Sequence, residues 1–210
     1  MYFETVIIAI TGPSGGGKST FCKNLISQLP KNKSLLISQD SYYKDLSHLD
    51  FDKRASYNYD HPDSIDFNLL SEHLINLKKK KKISQPVYDF KTHCRHKNQK
   101  LVSPKEFIIV DGTLIISQQK IYSLFNHIIY IDLDQKICLE RRIKRDINER
   151  GRTKKSVLEQ YKKTVQPMFE EHIYPNRKNA HSIISGVNNS KMIEIEAKKI
   201  IKMKNSFQIM

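Results

Sequence analysis

The sequence predicts an α/β fold, a parallel sheet covered on both faces by helices. Two observations carry that expectation. Short β-rich apolar runs alternate with helical periodicity along almost the whole chain, and a glycine-rich segment joins the first run to the first helix. The chain has 210 residues and is 39% hydrophobic, which fits one domain, 1–210, with a real core.

Taken in order, residues 6–11 read as a buried strand, and Phe21, Leu25 and Leu29 recur every four residues as the apolar stripe of the next helix. Residues 35–38 form a second strand. Residues 41–65 are rich in Tyr, Asp and His without clear periodicity and read as a long loop over a site. Residues 83–103 contain two extended pieces, 86–90 and 100–103, consistent with an inserted β-hairpin; long insertions in compact domains tend to be functional. Residues 107–110 and 128–133 are the third and fourth strands, each followed by a helical segment. Over 135–149, Leu139, Ile143 and Ile147 line one helical face, with Arg141, Arg142 and Arg145 opposite. Ile183 and Ile184 offer a short fifth strand, and 190–202 a closing helix.

Lys plus Arg number 36 against 22 Asp plus Glu, a net charge of +14, which calls for an anionic partner: a nucleic acid or a phosphorylated small molecule. The lysine run 78–82 supplies part of that excess and reads as a solvated loop after a helix. Apolar runs fall well short of the roughly 20 residues of a membrane span, and Glu4 with Gly12 argues against a secretory signal. Cys22, Cys94 and Cys138 are scattered and odd in number, so they read as free thiols of a soluble, cytoplasmic domain. His93, Cys94 and His96 lie close together, but no second pair at suitable spacing completes a zinc site.

The segment Gly12-Pro13-Ser14-Gly15-Gly16-Gly17-Lys18-Ser19, followed by Thr20, matches the phosphate-loop pattern G-x-x-x-x-G-K-[ST] at every fixed position. Glycines let the backbone curl so that several N–H groups face one anion, and the helix N-terminus adds its positive end. Lys18 is expected on the β/γ-phosphates and Ser19 on Mg²⁺. The fold is therefore a P-loop NTPase-type parallel sheet flanked by helices, with an inserted β-hairpin and a helical lid. Asp40 closes the second strand, where a carboxylate accepts a proton from an acceptor hydroxyl or holds Mg²⁺ through water; capping the segment at Ser41 is the alternative. Asp111 follows the third strand, as a metal-assisting acid or as a turn former with Gly112. Arg150-Gly151-Arg152 ends the basic helix, and Ser156-Val157-Leu158-Glu159 reads as a capping box for the next. Residues 148–160 then form a hinged lid whose arginines close over phosphates, the alternative being a solvated basic face.

These residues resemble the uridine kinases (uridine–cytidine kinases), within the wider group that includes phosphoribulokinases. The likeness extends through Ser38-Gln39-Asp40-Ser41-Tyr42-Tyr43, Tyr59-Asp60-His61-Pro62, Pro86-Val87-Tyr88-Asp89-Phe90 with His93 and Arg95, the run 141–152, and Gln160-Tyr161 through Pro167-Met168-Phe169. The resemblance implies transfer of the γ-phosphate of ATP (or GTP), with Mg²⁺, to the 5′-hydroxyl of uridine or cytidine. It implies Asp40 as catalytic base, Asp60 on the ribose hydroxyls, Tyr88 and His93 on the pyrimidine, and Arg142, Arg152 and Gln160 on the acceptor or the closing lid. Lys18 and Arg152 join Asp40 as the expected catalytic set, and Ser19, Asp40 and Asp111 form the expected metal set. The family implies a homotetramer. Two departures stand out: Asp111 where the family carries Glu, and Ser185-Gly186-Val187-Asn188 where it carries Arg-Gly and an acid. A nucleic-acid-dependent ATPase is the competing class; the absence of an aromatic-interleaved basic stripe argues against nucleic acid as the partner.

Overall fold

The computed structural model describes residues 4–206, so the outermost ends of the expected domain lie outside the described residues. In chain order the first elements are β1 (Val6–Thr11), α1 (Lys18–Gln28), β2 (Ser34–Ser38), α2 (Phe51–Ala55) and α3 (Phe67–Lys78). The insertion holds β3 (Ile83–Gln85), β4 (Tyr88–Asp89), β5 (Cys94–Arg95) and β6 (Lys100–Val102). Then come β7 (Phe107–Asp111), α4 (Gln119–Tyr122), β8 (His127–Asp132) and α5 (Gln135–Arg150). The chain closes with α6 (Lys154–Gln160), α7 (Gln166–Met168), β9 (Ser182–Ser185) and α8 (Ser190–Ser206). Single π-turns follow α6, at Tyr161–Val165, and α7, at Phe169–Ile173.

The main sheet runs β2-β7-β1-β8-β9 with every neighbour parallel. All six residues of β1 are buried, as expected for a strand covered on both faces. Side-chain alternation sorts the core into two layers. Ile7, Ala9, Ile37, Ile108 and Val110 pack with Leu70, Leu74 and Leu77 of α3. Val6, Ile8, Ile10, Phe107 and Ile109 pack with Phe21 and Leu25 of α1 and with Ile193 and Ile200 of α8. Each fully buried Ile or Leu contributes roughly 1.5–3 kcal/mol, so these layers hold the sheet as a rigid platform.

Register places the chemistry. Ile10 pairs with Asp111 and Ser38 pairs with Asp111, so β1, β2 and β7 end at one carboxyl edge. The phosphate loop, the turn at Gln39–Tyr42 and Asp111 therefore converge there, the usual ligand edge of an open parallel sheet.

Several expectations need correction. Asp111 is the last residue of β7 rather than the first beyond it. The loop 41–65 contains the short helix α2. The inserted pieces 86–90 and 100–103 do not pair with each other: β3 pairs with β6, and β4 pairs with β5 at the tip. On α5 the inward face is Cys138, Arg142 and Asp146, while Ile147 is 40% exposed. That helix packs over a polar cleft, so its buried stripe is ionic. Gly151 stops α5 in the left-handed region (φ 65) as expected, but the cap of α6 is Thr153, whose hydroxyl accepts from the Ser156 N–H at 3.2 Å. The expected capping box at 156–159 lies inside the helix. Among the described residues, no helix is long and apolar enough to cross a membrane.

Candidate active site

The phosphate loop is shaped by close backbone packing. Gly12 has φ 136, and a Cβ there would stand 2.3 Å from the Ile131 carbonyl oxygen, so only glycine fits. The Gly16 N–H donates to the Pro13 carbonyl at 3.0 Å. Lys18 turns its ammonium onto the carbonyls of Gly12 (3.0 Å) and Pro13 (2.9 Å). Burial pulls its pKa down, with Asp111 and Asp40 opposing. Gly186, just after β9, backs onto the loop: a Cβ there would stand 2.3 Å from the Gly16 carbonyl oxygen.

A cleft of about 940 Å³ opens at this edge and is lined on one side by Ser14, Gly15, Gly17, Lys18, Ser19 and Thr20. Asp40, Asp60 and Asp111 face the same cleft, as do Tyr88, His93, Arg142, Arg152 and Gln160. The sequence-predicted residues are thus brought together, except that Gly12, Pro13 and Gly16 do not line the cleft and act through backbone packing and the Lys18 contacts.

The donor set suits a small hard cation. Ser19 Oγ donates to Asp111 Oδ2 at 2.9 Å, while Asp111 Oδ1 is buried with no hydrogen-bond partner among the described residues. Burial raises the Asp111 pKa; Lys18 and Ser19 pull it back. A buried carboxylate oxygen left open beside a serine hydroxyl fits Mg²⁺, which binds through one or two carboxylates together with phosphates and water. Among the described residues, no group of three or more His, Cys, Asp or Glu is placed to hold a metal ion by itself. The shorter Asp111 reaches Ser19 without difficulty.

The far end of the cleft is aromatic. The Tyr88 ring lies 5.0 Å from Tyr43 and 5.4 Å from Phe90, and His93 stacks on Tyr59 at 5.0 Å with 14° between planes. The Arg150 guanidinium sits 4.3 Å from the Phe90 centroid. Burial, then neighbouring arginines led by Arg152, lowers the His93 pKa, so its ring is neutral near pH 7 with one donor and one acceptor. Burial, with Tyr59, pushes the Tyr88 phenol up and keeps it protonated. Tyr43, Tyr59 and Phe90 join the site without having been assigned a role there, and Arg150, expected as a lid arginine over phosphates, lies against the aromatic end; the Tyr-rich stretch 41–65 is the sequence signal that points to the two tyrosines.

Arg142 links the two ends. Its Nη1 donates to Ser14 Oγ (2.9 Å), its Nη2 to Gln160 Oε1 (3.1 Å), and its Nε lies 3.5 Å from Asp146 Oδ2. Asp60 Oδ1 is 3.8 Å from Arg142 Nη1, and Arg152 also donates to Gln160 Oε1. Asp146 is fully buried beneath Arg142, Arg145 and Arg150 and offsets part of their charge.

A phosphate loop at the carboxyl edge of a parallel sheet, with Asp111 beside its serine and arginines of α5 lining the same cleft, is the arrangement of a P-loop kinase. The family model described as the phosphoribulokinase / uridine kinase family matches residues 7–193, and the chain belongs to that family. Proteins named uridine kinase are similar along nearly the whole length. That of Clostridium novyi is 44% identical over 196 residues (93% of this chain, 94% of the relative), and that of Alkaliphilus metalliredigens is 40% identical with the same coverage. Among solved structures, one described as a possible uridine kinase from Bacillus stearothermophilus covers 87% of this chain and 90% of its own, with TM-score 0.54 and 17% identity. D-glycerate 3-kinase from Cryptococcus neoformans covers 74% and 75% with TM-score 0.54 and 15% identity. These structures share the fold.

Proposed function

We propose that this protein is a uridine kinase, transferring the γ-phosphate of ATP (or GTP) to the 5′-hydroxyl of uridine or cytidine. The observation that carries the reading is one cleft with a phosphate loop at one end and an aromatic-walled hairpin site at the other. Asp40 belongs to both ends: its charge acts on Lys18 and Asp111 and also on Tyr43 and Arg150. The relatives named uridine kinase support the acceptor class.

In this reading the chain mostly positions groups and stabilises charge. Asp40 accepts the proton of the 5′-hydroxyl. Asp60 holds ribose hydroxyls, and Tyr88 with neutral His93 meets the ring and edge of the pyrimidine. Lys18 leaves its own loop carbonyls for phosphate oxygens, and Arg142, Arg152 and Gln160 bring the lid down and exclude water. Ser19, Asp111 and Asp40 would hold Mg²⁺, which when bound neutralises phosphate charge. We place the enzyme in the cytoplasm as a homotetramer, in keeping with the free thiols Cys22, Cys94 and Cys138 and with the family resemblance; sedimentation tests the assembly.

ADP release is measured with ATP and Mg²⁺ alone and with uridine, cytidine or adenosine added. Turnover only with the pyrimidine nucleosides supports the proposal, and release indifferent to acceptor overturns it. Asp40→Asn is expected to lower kcat by about 10²–10⁴-fold while nucleotide binding persists, the range for loss of a general base.

A further inference from the structure

We propose that Thr164 is a positioning residue for the acceptor, its hydroxyl holding the Asp60 carboxylate in the orientation that receives the substrate. The inference rests on the nucleoside-kinase reading above and assigns a residue which that reading leaves out. Thr164 lies in the π-turn Tyr161–Val165, and its Oγ1 stands 3.0 Å from Asp60 Oδ2 across 104 positions of sequence. Both residues line the cleft.

Three features single this contact out. First, a threonine hydroxyl has one proton, and here it faces two acceptors: Asp60 Oδ2 and the Gln160 carbonyl at 3.1 Å. The carboxylate is the stronger acceptor, so the proton goes preferentially to Asp60. Second, the two oxygens of Asp60 are thereby distinguished. Oδ2 takes the Thr164 hydroxyl, while Oδ1 lies 3.8 Å from Arg142 Nη1, and Asp60 lines the cleft. Third, the π-turn sets the direction. Its extra residue shifts the phase of the downstream helix by roughly one position, about 100°, relative to an uninterrupted α-helix. The same segment begins directly after Gln160, which receives both Arg142 and Arg152. Thr164 therefore ties the acceptor carboxylate to the helix that carries the lid contacts. Lid closure and acceptor orientation share one rigid element.

Steady-state kinetics of Thr164→Val and Thr164→Ser test the assignment. Thr164→Val keeps the shape and removes the donor. It is expected to raise KM for uridine about tenfold, the loss of one hydrogen bond to a charged acceptor, with KM for ATP and melting temperature unchanged. Thr164→Ser restores the donor and is expected to bring uridine KM back to near wild type. In an Asp60→Ala background Thr164→Val is expected to add nothing further. Unchanged uridine KM in Thr164→Val overturns the proposal, and so does an equal rise in both KM values accompanied by a lower melting temperature, which marks a structural role. Should Thr164→Val fail to fold, Thr164→Ala carries the same comparison. Wild-type enzyme assayed in parallel separates the two readings: if it lacks pyrimidine-dependent turnover, the proposed function falls, whereas normal wild-type turnover with an unaffected variant removes only Thr164.

Discussion

Glu196 of α8 offers the sharpest stability test. Its side chain is fully buried, and it receives His127 Nε2 at 2.7 Å, Ser182 Oγ at 2.9 Å and Lys199 Nζ at 2.8 Å. Burial alone would raise its pKa; the bonds from His127, Lys199 and Ser182 outweigh that and bring it from 4.5 to about 2. Because the folded value lies below the unfolded one, the stabilisation is full above pH 4.5 and is lost as pH falls through about 2. The difference, 4.5 − 2, corresponds to about 3 kcal/mol at 1.36 kcal/mol per unit, a large share of a typical total of about 5–15 kcal/mol. Glu196→Gln keeps the shape and removes the charge. Urea unfolding of both proteins between pH 7 and pH 2 should give a stability gap that is widest near neutrality and narrows by about 3 kcal/mol in acid. A gap that stays constant with pH would refute the reasoning.

Two further outcomes concern the phosphate loop. Gly186→Ala would press a methyl against the Gly16 carbonyl oxygen, 2.3 Å away, and is expected to cost about 1–3 kcal/mol while weakening nucleotide binding; melting curves with and without ATP and Mg²⁺ read both effects. Lys18→Met removes an ammonium whose burial outweighs its electrostatic partners, so the nucleotide-free protein should melt at a higher temperature although turnover is lost. Calorimetry checks this, and a lower melting temperature would mean that the Gly12 and Pro13 carbonyl contacts dominate.

Much of this architecture is written in short-range pattern. β-branched runs, the glycines before Lys18 and Ser19, and Gly151 at the end of α5 act through local backbone sterics, periodicity and hydrogen bonding, so the sheet, the phosphate loop and the end of α5 are legible from neighbouring residues. Two features depart from that pattern for physical reasons. Apolar periodicity points to the wrong face of α5, because the helix covers a charged cleft that buries Arg142 and Asp146 and leaves Ile147 outside. The capping box read at Ser156 lies one turn inside α6, because the helix starts at Lys154 and the Thr153 hydroxyl takes the Ser156 N–H.

The site itself is mostly a long-range object. Tyr43, Tyr59, Tyr88 and His93 come from the loop after β2 and from the inserted hairpin, and their ring contacts exist only once both fold over the sheet edge. The Thr164–Asp60 contact likewise depends on a π-turn that no local spacing announces. The phosphate chemistry is readable from one stretch of residues, because a loop that cradles an anion is made from consecutive positions and their own backbone. The aromatic end becomes definite only in the folded chain, because its side chains meet across distant segments whose packing, and not their spacing, sets the geometry.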